Sequence, residues 1–368
     1  MLKEVCSIKM GQSPASDSYN DNGEGIPFFQ GNADFGERYP VARQWCSAPI
    51  KMAEPEDILI SVRAPIGALN YAKEECCIGR GLAALTPNKS KISPEFMFWL
   101  LKGKTAELNS KGTGSTFKAI SRKVLEEILV PDIGIDQQAE YSAILEKING
   151  IIQLRKQELQ KLDELIKARF VEMFGNVPEE EKVTMAEICK VITDGTHQPP
   201  EFTNTGIPFL LVSNIVTNEI CYDTEKFISE ETYNELIKRT PIEVGDILLS
   251  TVGSYGHPAI VKIDRRFCFQ RHIAYLKPKL DIVDSEYLRG AILSDNVQSQ
   301  IDERVRGIAQ KTLNLSEIRK IRLPLPPMEL QNQYAEFVAQ IDKSKAVIQK
   351  SLDETQTLFD CLMQKYFG

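Results

Sequence analysis

Residues 130–141 read VPDIGIDQQAEY, and residues 323–334 read LPLPPMELQNQY. Both stretches place a proline ahead of a Gln-x-x-Tyr sequence, and each is followed at the same distance by a Phe-Gly pair, at 174–175 and at 367–368. The second copy of each of these residues is numbered 193 higher than the first. Proline is tolerated where a helix begins and glycine is favoured after its end. Each copy therefore predicts one long helix.

The residues between these borders repeat at heptad spacing. The apolar positions of this seam are Leu145, Ile148, Ile152, Leu159, Leu162, Ile166 and Met173 in the first helix, and Val338, Ile341, Ile348, Leu352, Phe359 and Leu362 in the second. A narrow apolar seam is typical of helices that pair along their length. Four polar residues interrupt it, and they either set the register, face a partner or mark solvated ends: Arg155, Arg169, Lys345 and Thr355. We predict a coiled coil of two helices, each of about 35 residues and about 50 Å.

The segments that precede the helices repeat as well. Three pairs of segments correspond: 25–28 with 206–209, 56–61 with 245–250, and 80–87 with 271–278. Short runs with strand composition alternate there with glycine and proline, as in an α+β domain. The chain is therefore predicted to hold two copies of one unit, a globular head followed by a helix. Such copies tend to pack about a pseudo-two-fold axis, which makes the two long helices antiparallel and separates the heads.

The charge is unevenly distributed. The chain has a net charge of −7 and a pI near 5.3, which taken alone argues against nucleic acid. Phosphate binding depends on the local field, however. Residues 101–124 carry six basic side chains against one acidic, and residues 262–322 carry thirteen against eight. We match Lys111-Gly112 in the first segment with Arg306-Gly307 in the second; the alternative is that both segments are solvated helix faces.

Cysteine usage and hydropathy indicate the compartment. The eight cysteines form no C-x-x-C pair and no zinc-ligand spacing, which favours reduced structural thiols. No run of about eighteen apolar residues is present, and no signal-peptide pattern follows Met1. We expect a cytoplasmic protein without a membrane segment.

Five stretches, in this order, resemble the specificity subunits of type I restriction–modification systems. They are KMGQSP at 9–14, PEDILISVRAPIG at 55–67, IGRGLA at 78–83, VITDGTH at 191–197 and LPLPPMELQ at 323–331. The resemblance extends over the whole chain, because both heads and both helices contribute to it.

This resemblance implies the domain roles and the partners. Residues 1–130 and 179–322 are expected to be target recognition domains, each for one half of a bipartite, asymmetric DNA site, with helical spacers at 131–178 and 323–368. Two modification subunits are expected to dock beside the helices and to bring S-adenosylmethionine and adenine-N6 methyl transfer. Restriction subunits that use ATP and Mg²⁺ would translocate and cut the DNA. The chain itself is expected to be non-catalytic, with no cofactor and no metal.

Polar side chains on loops are the candidates for contact with double-stranded DNA. In the first head they are Gln12, Ser13, Gln30, Asn32, Arg63, Arg80, Lys111, Thr113, Ser115 and Thr116. In the second head they are Thr196, His197, Ser213, Asn214, Ser254, Tyr255, Arg271, His272, Arg306, Gln310 and Lys311. The alternative for some of them is structural: Gln30 or Asn214 caps a turn, and Arg80 or Arg271 pairs with a carboxylate.

Two other functions compete with DNA reading. An autonomous DNA methyltransferase would need a glycine-rich cofactor loop and an Asp/Asn-Pro-Pro-Tyr/Phe sequence; Gln198-Pro199-Pro200-Glu201 has only the prolines. An autonomous nuclease would have to rely on Glu180-x-Lys182, which resembles half a nuclease site but lies in an acidic linker. Gly103-Lys104-Thr105 ends like a P-loop, but the earlier glycine position is Phe98. A coiled-coil scaffold whose heads bind protein is the second alternative, and the acidic composition favours it.

Overall fold

A computed structural model describes residues 1–114, 118–307 and 311–368. The predicted contacts Ser115, Thr116 and Gln310 lie outside the described residues. The chain divides into two compact units, the first formed by Met1–Lys156 with Lys350–Gly368 and the second by Gln157–Gln349. Each unit thus contains one head and a part of each long helix.

The head of the first unit is built from two sheets. Its strands are β1 (Cys6–Met10), β2 (Tyr19–Asn20), β3 (Ile26–Phe29), β4 (Trp45–Cys46), β5 (Met52–Ala53), β6 (Ile58–Ser61), β7 (Leu69–Tyr71), β8 (Cys76–Ile78) and β9 (Leu82–Pro87). An antiparallel sheet has the order β1-β9-β6-β7, and a mixed sheet has the order β2-β4-β3-β8-β5. A core cluster containing Phe29, Leu59, Ile78 and Leu82 joins the two sheets. The helices are α1 (Pro94–Gly103), α2 (Thr105–Ser110), α3 (Arg122–Glu126) and α4 (Ile135–Phe174).

The head of the second unit follows the same plan. Its strands are β10 (Val183–Thr184), β11 (Cys189–Asp194), β12 (Ile207–Leu210), β13 (Phe227–Ile228), β14 (Ile247–Ser250), β15 (Pro258–Ile260), β16 (Cys268–Phe269), β17 (Ile273–Pro278) and β18 (Arg322–Leu323). The sheets have the orders β11-β17-β14-β15, β13-β12-β16 and β10-β18. The helices are α5 (Met185–Ile188), α6 (Glu230–Leu236), α7 (Ser285–Leu293), α8 (Asp295–Arg304), α9 (Leu315–Ile318) and α10 (Met328–Phe367). Short 3-10 helices occur at Leu2–Glu4, Ser16–Ser18, Asn32–Asp34, Glu179–Glu181 and Val212–Asn214.

The sequence repeat is a repeat of strand pairing. In the first head β1 pairs with β9, and β9 also pairs with β6. In the second head β11 pairs in the same way with β17, and β17 also pairs with β14. The strands β3 and β8 pair in parallel, and so do β12 and β16. The prediction of mixed α+β heads in tandem is confirmed.

The match between the two basic loops is wrong by two residues. Thr113 pairs with Ala119 in an antiparallel bridge, and Arg306 pairs with Thr312 in the same way. The second pair is numbered 193 higher, the same interval as in the long helices. Gly114 therefore corresponds to Gly307, and both have a positive φ, of 128° and 107°. Lys111 precedes this hairpin and is not the counterpart of Arg306.

The long helices α4 and α10 each contain 40 residues, so each is about 60 Å long rather than about 50 Å. Every predicted seam residue is buried or half-buried. In the first unit the ring of Tyr141 stacks on Tyr366 with centroids 3.8 Å apart, so the start of α4 lies beside the end of α10. In the second unit the rings of Phe170 and Tyr334 are 5.4 Å apart, so the end of α4 lies beside the start of α10. Pairing along the full length of the two helices stays a prediction.

The end of α4 is also part of the core of the second head. Phe170 and Phe174 belong to the same buried cluster as Met185 and Tyr287, and Tyr334 of α10 completes it. The predicted seam residues Ile166 and Met173 pack against this cluster. Their apolar positions are therefore explained by the head as well as by the partner helix.

Candidate nucleic-acid interface

In the first head, the loop after β1 lies against the loop between β8 and β9. The backbone N–H of Gln12 donates to the carbonyl oxygen of Ile78 at 3.0 Å, and the N–H of Arg80 donates to Oγ of Ser13 at 3.4 Å. The N–H of Gly81 donates to the carbonyl oxygen of Gln30 at 3.2 Å. Four predicted contacts from three separate segments thus meet at one edge of the head.

The strand extension after β6 continues this edge. The N–H of Val62 donates to the carbonyl oxygen of Gly81 at 2.9 Å, and the N–H of Ala64 donates to that of Lys118 at 3.0 Å. Arg63 forms a bridge with Ala119, which itself pairs with Thr113. We call this edge the first rim; it is defined by Gln12, Ser13, Gln30, Arg63, Arg80, Thr113 and Lys118.

The second head builds a corresponding edge from the corresponding segments. The N–H of Thr196 donates to the carbonyl oxygen of Phe269 at 3.2 Å, and the N–H of Arg271 donates to that of Thr196 at 3.0 Å. The N–H of Thr251 then donates to the carbonyl oxygen of His272 at 2.9 Å. Val252 bridges Thr312, which pairs with Arg306. The second rim is defined by Thr196, His197, Arg271, His272, Arg306 and Lys311.

Glycines allow the loops of each rim to approach closely. A Cβ on Gly11 would lie 2.1 Å from the carbonyl oxygen of Gly79, and a Cβ on Gly195 would lie 2.1 Å from that of Phe269. Real Cβ atoms do not come so near to a backbone oxygen, so any side chain here must push the loops apart. The glycine at this position in each head is thus a requirement of the rim.

We expect Gly195→Ala to lower the free energy of unfolding by about 1–3 kcal/mol, as overpacking does elsewhere. Gly150→Ala is the matched control, because nothing lies within 4 Å of a Cβ at this position in α4. Alanine is favoured over glycine in a helix, so this control should raise stability by up to about 1 kcal/mol. Denaturant titrations of both variants check the signs; equal stability for Gly195→Ala and the unsubstituted protein would contradict the close approach.

A cavity of about 290 Å³ opens in the second rim. Its lining includes Asp194, His197, Arg271, His272 and Thr312. The carboxylate of Asp194 is already paired, with Nη2 of Arg239 at 2.5 Å and Nε2 of His197 at 3.0 Å. The remaining charged residue of the cavity lining is Arg271, a cation.

Several predicted residues have structural partners. The side chain of Asn214 is buried; its Oδ1 accepts from the N–H of Leu211 at 2.9 Å and its Nδ2 donates to the carbonyl oxygens of Cys221 and Asp223. Asn214 therefore caps the turn after β12, and Asp34 does the same after β3 through the N–H of Gln30 at 2.7 Å. We leave Asn214 out of the proposed DNA contacts. Asn32 and Ser213 lie in these same short helices, and their side chains form no such hydrogen bond with the residues that the structure describes.

Other predicted side chains are engaged in part. Oη of Tyr255 donates to Oδ1 of Asp302 at 2.9 Å, and Ser254 lies 3.1 Å from Nε2 of His257. Lys111 pairs with Glu107 at 2.6 Å at the end of α2, away from the hairpin bridge. Nη1 of Arg306 donates to the carbonyl oxygen of Glu303 at 3.0 Å. Lys111 and the hydroxyl of Tyr255 thus each have a carboxylate partner within the protein.

Lys118 is a rim residue that the sequence reasoning missed. It is exposed, and among the described residues its ammonium group has no ion pair or hydrogen bond. Its number is 193 below that of Lys311, so it occupies the same hairpin position in the first head. The corresponding helix borders are numbered 193 apart. Applying this interval to Lys311 would have identified Lys118 from the sequence.

The described ranges offer no group of three or more His, Cys, Asp or Glu side chains that could hold a metal ion. The cysteines are free thiols throughout the described chain, and burial raises the pKa of Cys6, Cys76, Cys189 and Cys268 to about 12. In the same part of the chain, every helix is too short or too polar to cross a membrane.

Comparison with known proteins identifies similar sequences. The family model described as "Type I restriction modification DNA specificity domain" matches residues 1–164 and 179–356. A putative type I restriction enzyme MjaX specificity subunit from Methanocaldococcus jannaschii is 42% identical over 156 residues, which are 42% of this chain but 37% of that protein. The type I restriction enzyme EcoBI specificity subunit from Escherichia coli is 22% identical over 412 aligned residues, which cover 100% of this chain and 84% of that protein.

Solved structures share the fold. The type I restriction–modification S subunit from M. genitalium aligns over 100% of this chain and 95% of its own, with a TM-score of 0.56 and 15% identity. A chain from a study of complex assembly and conformational transition in the type I restriction–modification system aligns over 100% of this chain and 96% of its own, with a TM-score of 0.56 and 18% identity.

Proposed function

The chain belongs to the family of type I restriction–modification DNA specificity proteins, and from this premise we propose that each head reads one half of a two-part, asymmetric DNA sequence. The observation that carries the proposal is the pair of rims. Both are assembled by the same backbone pairings, yet they display different side chains: Ser13 corresponds to His197, and Gly81 corresponds to His272. Equal scaffolds with unequal side chains suit two different half-sites.

The exposed cations of the rims supply the local field that the net charge lacks. Arg63, Arg80 and Lys118 are exposed in the first rim, and Arg271, Arg306 and Lys311 are exposed in the second. Within the described ranges neither Arg80 nor Arg271 pairs with a carboxylate. Phosphate oxygens and the base edges of the major groove are acceptors that such donors suit.

The long helices would set the distance between the half-sites. Each is about 60 Å long, and half-sites read from one face of a duplex lie about 34 Å apart or a multiple of it. We propose residues 1–130 and 179–322 as the recognition domains, and 131–178 and 323–368 as antiparallel helical spacers that pair as a coiled coil.

We further propose that two modification subunits dock beside these spacers and supply S-adenosylmethionine and methyl transfer, while restriction subunits supply ATP-dependent translocation and cleavage. The chain itself would do no chemistry. Because its net charge is −7, the partner subunits would add positive field around the duplex. Adding the modification subunit should therefore tighten DNA binding markedly.

Selection from a random duplex library, with the chain bound to its modification subunit, tests this function. A reader of two half-sites enriches a motif in two parts with a fixed gap. Enrichment of no motif would favour the alternative of a coiled-coil scaffold that binds protein. Incubation of the purified chain alone with labelled S-adenosylmethionine and DNA addresses the enzyme alternative, since methyl transfer by this chain would contradict the proposal.

We expect Lys118→Ala and Lys311→Ala each to weaken DNA binding for all sequences, because each removes a cation that can neutralise a phosphate. Each variant should reduce the slope of log K against log salt by about 1. Lys73→Ala is the control, since Lys73 is exposed but precedes β8, at the end of that strand opposite to Arg80. Slopes that are unchanged in both hairpin variants would mean that the hairpins do not contact phosphate.

A further inference from the structure

The histidines of the chain are confined to one head. The sequence contains three, His197, His257 and His272, and all lie in the second head. Two of them line the cavity of the second rim together with Arg271. At the corresponding positions of the first rim stand Ser13, Gly81 and Arg80. The two heads thus share an arginine but differ in what surrounds it.

His272 holds one nitrogen of this arginine. Nε of Arg271 donates a hydrogen bond to Nε2 of His272 at 3.3 Å. An imidazole nitrogen accepts only when it carries no proton, so this contact requires neutral His272 with its proton on Nδ1. The terminal nitrogens Nη1 and Nη2 of Arg271 make no hydrogen bond or ion pair within the residues that the structure describes. The guanidinium is therefore held at its base while its terminal nitrogens stay available.

The backbone on both sides of this pair is held as well. The N–H of Arg271 donates to Thr196 and the carbonyl oxygen of His272 accepts from Thr251 at 2.9 Å. The imidazole is half-buried, whereas Arg271 is exposed. The orienting group is thus attached to the sheet, and the group that it orients faces solvent.

We propose that His272 is a positioning residue that directs the terminal nitrogens of Arg271 toward O6 and N7 of a guanine in the half-site read by the second head. This inference rests on the proposed function. Guanine presents two acceptors side by side in the major groove, and the two parallel N–H donors of an arginine match them. Fixing Nε in advance reduces the freedom that the side chain loses on binding.

The charged groups around His272 explain why it stays neutral. Burial and the adjacent Arg271 cation both lower the pKa of His272 from its usual value of 6.5. Across the cavity lie Asp194 and His197, and the Asp194 carboxylate is paired with Arg239 and His197. At neutral pH the imidazole is therefore an acceptor. When the pH falls through this lowered pKa, both ring nitrogens become donors and the ring repels Arg271.

Head-specific pH dependence follows from this chemistry. The preference for guanine at one position of the second half-site should be present above about pH 7 and lost well below the usual histidine pKa. The half-site read by the first head should show no such dependence, because Gly81 follows Arg80 there and no histidine is present in that head. Overall DNA affinity should not fall in parallel, since protonation adds positive charge.

The test uses the full chain in complex with its modification subunit and measures sequence preference by selection from a random duplex library, at about pH 8 and at about pH 5. The variants are H272L, which removes the acceptor, H272Q, whose side-chain oxygen accepts without titrating, and Arg271→Lys, which keeps the charge but loses the paired donors. His257→Gln is the matched control, because His257 is half-buried in the same head but is not part of the cavity.

At about pH 8 we expect Arg271→Lys to lower the preference for guanine at one position by about 5- to 150-fold, the range for a bidentate arginine contact. H272L should lower it by about 2- to 13-fold, the cost of ordering one side chain on binding. H272Q should keep this preference and keep it at about pH 5 as well, where the unsubstituted chain loses it. The first half-site, recorded in the same reads, is the internal control for folding and DNA binding.

An intact guanine preference in H272L, or equal pH dependence in H272Q and the unsubstituted chain, would overturn the role of His272. A two-part motif with no guanine sensitive to Arg271→Lys would overturn the assignment of the base while leaving the proposed function intact. If no two-part motif is selected at all, the proposed function itself fails, and the inference fails with it.

Discussion

Replacing Arg80 and Arg271 together by alanine is expected to weaken sequence-specific binding by the complex with the modification subunit more than any single substitution in either rim does. Each arginine is an exposed member of its rim, and a bidentate contact with a base is worth about 1–3 kcal/mol. Losses at well-separated positions add approximately, so the double variant should lose about 2–6 kcal/mol, or about 30-fold to about 20,000-fold in specific affinity. Binding to the selected duplex and to a scrambled duplex, measured in parallel, separates this loss from a general one.

The matched control for this experiment is Arg38→Ala with Arg266→Ala, one substitution in each head. Both arginines form ion pairs outside the rims, Arg38 with Glu146 at 3.0 Å and Arg266 with Glu230. The control removes the same total charge and should retain specific binding to within a few-fold. Equal losses in the two double variants would show that charge alone, and not the position of the rim arginines, determines recognition.

Replacing Tyr334 by alanine is expected to give a large loss of stability. Its side chain is 1% exposed in the core of the second unit, with ring centroids 5.4 Å from Phe170 and 5.8 Å from Phe174. Truncating a buried aromatic residue costs about 3–5 kcal/mol, because the apolar burial is lost and a cavity remains. Chemical denaturation monitored in the second unit, for example by local hydrogen exchange, measures the effect.

Val347→Ala provides the comparison for Tyr334, because Val347 lies on the same helix and is 70% exposed. A surface substitution of this kind changes stability by no more than about 0.5 kcal/mol. If both variants unfolded at the same denaturant concentration, the start of α10 would not be part of the core of the second head.

This aromatic cluster also shows where a sequence repeat stops predicting packing. Trp99 in α1 corresponds to Gly290 in α7. The two helices follow β9 and β17, whose corresponding residues are numbered 191 apart, and 99 and 290 differ by the same interval. Trp99 packs against Phe359, with ring centroids 5.7 Å apart, and Tyr141 stacks on Tyr366. In the second unit a Cβ on Gly290 would lie 2.6 Å from Oη of Tyr334, the residue that corresponds to Tyr141. Tyr334 therefore occupies the space that corresponds to the one filled by Trp99 in the first unit. The corresponding position is therefore filled by a side chain of α1 in the first unit and by a side chain of α10 in the second.

The candidate site divides in a similar way. Residue type and loop position were sufficient to select Gln12, Arg80 and Arg271 as candidates, because only certain side chains present donors to a base edge. The same reasoning included Asn214, whose side chain bonds to the backbone of Cys221 and Asp223 in the loop that follows, and Lys111, which pairs with Glu107 one turn earlier in α2. It omitted Lys118. Composition does not show that Lys118 and Ala119 pair with the backbone at Arg63 and Ala64, and this pairing places Lys118 in the rim.

The order of the elements was determined by the sequence itself: two α+β heads, each followed by a long helix that begins after a proline and ends at a Phe-Gly pair. Helix borders and heptad or alternating patterns depend on residues a few positions apart, so they can be predicted from the sequence. The rims were decided only by the tertiary structure. They form where β1 meets β9 and β3 meets β8, and such pairing between distant segments depends on the packing of the whole head.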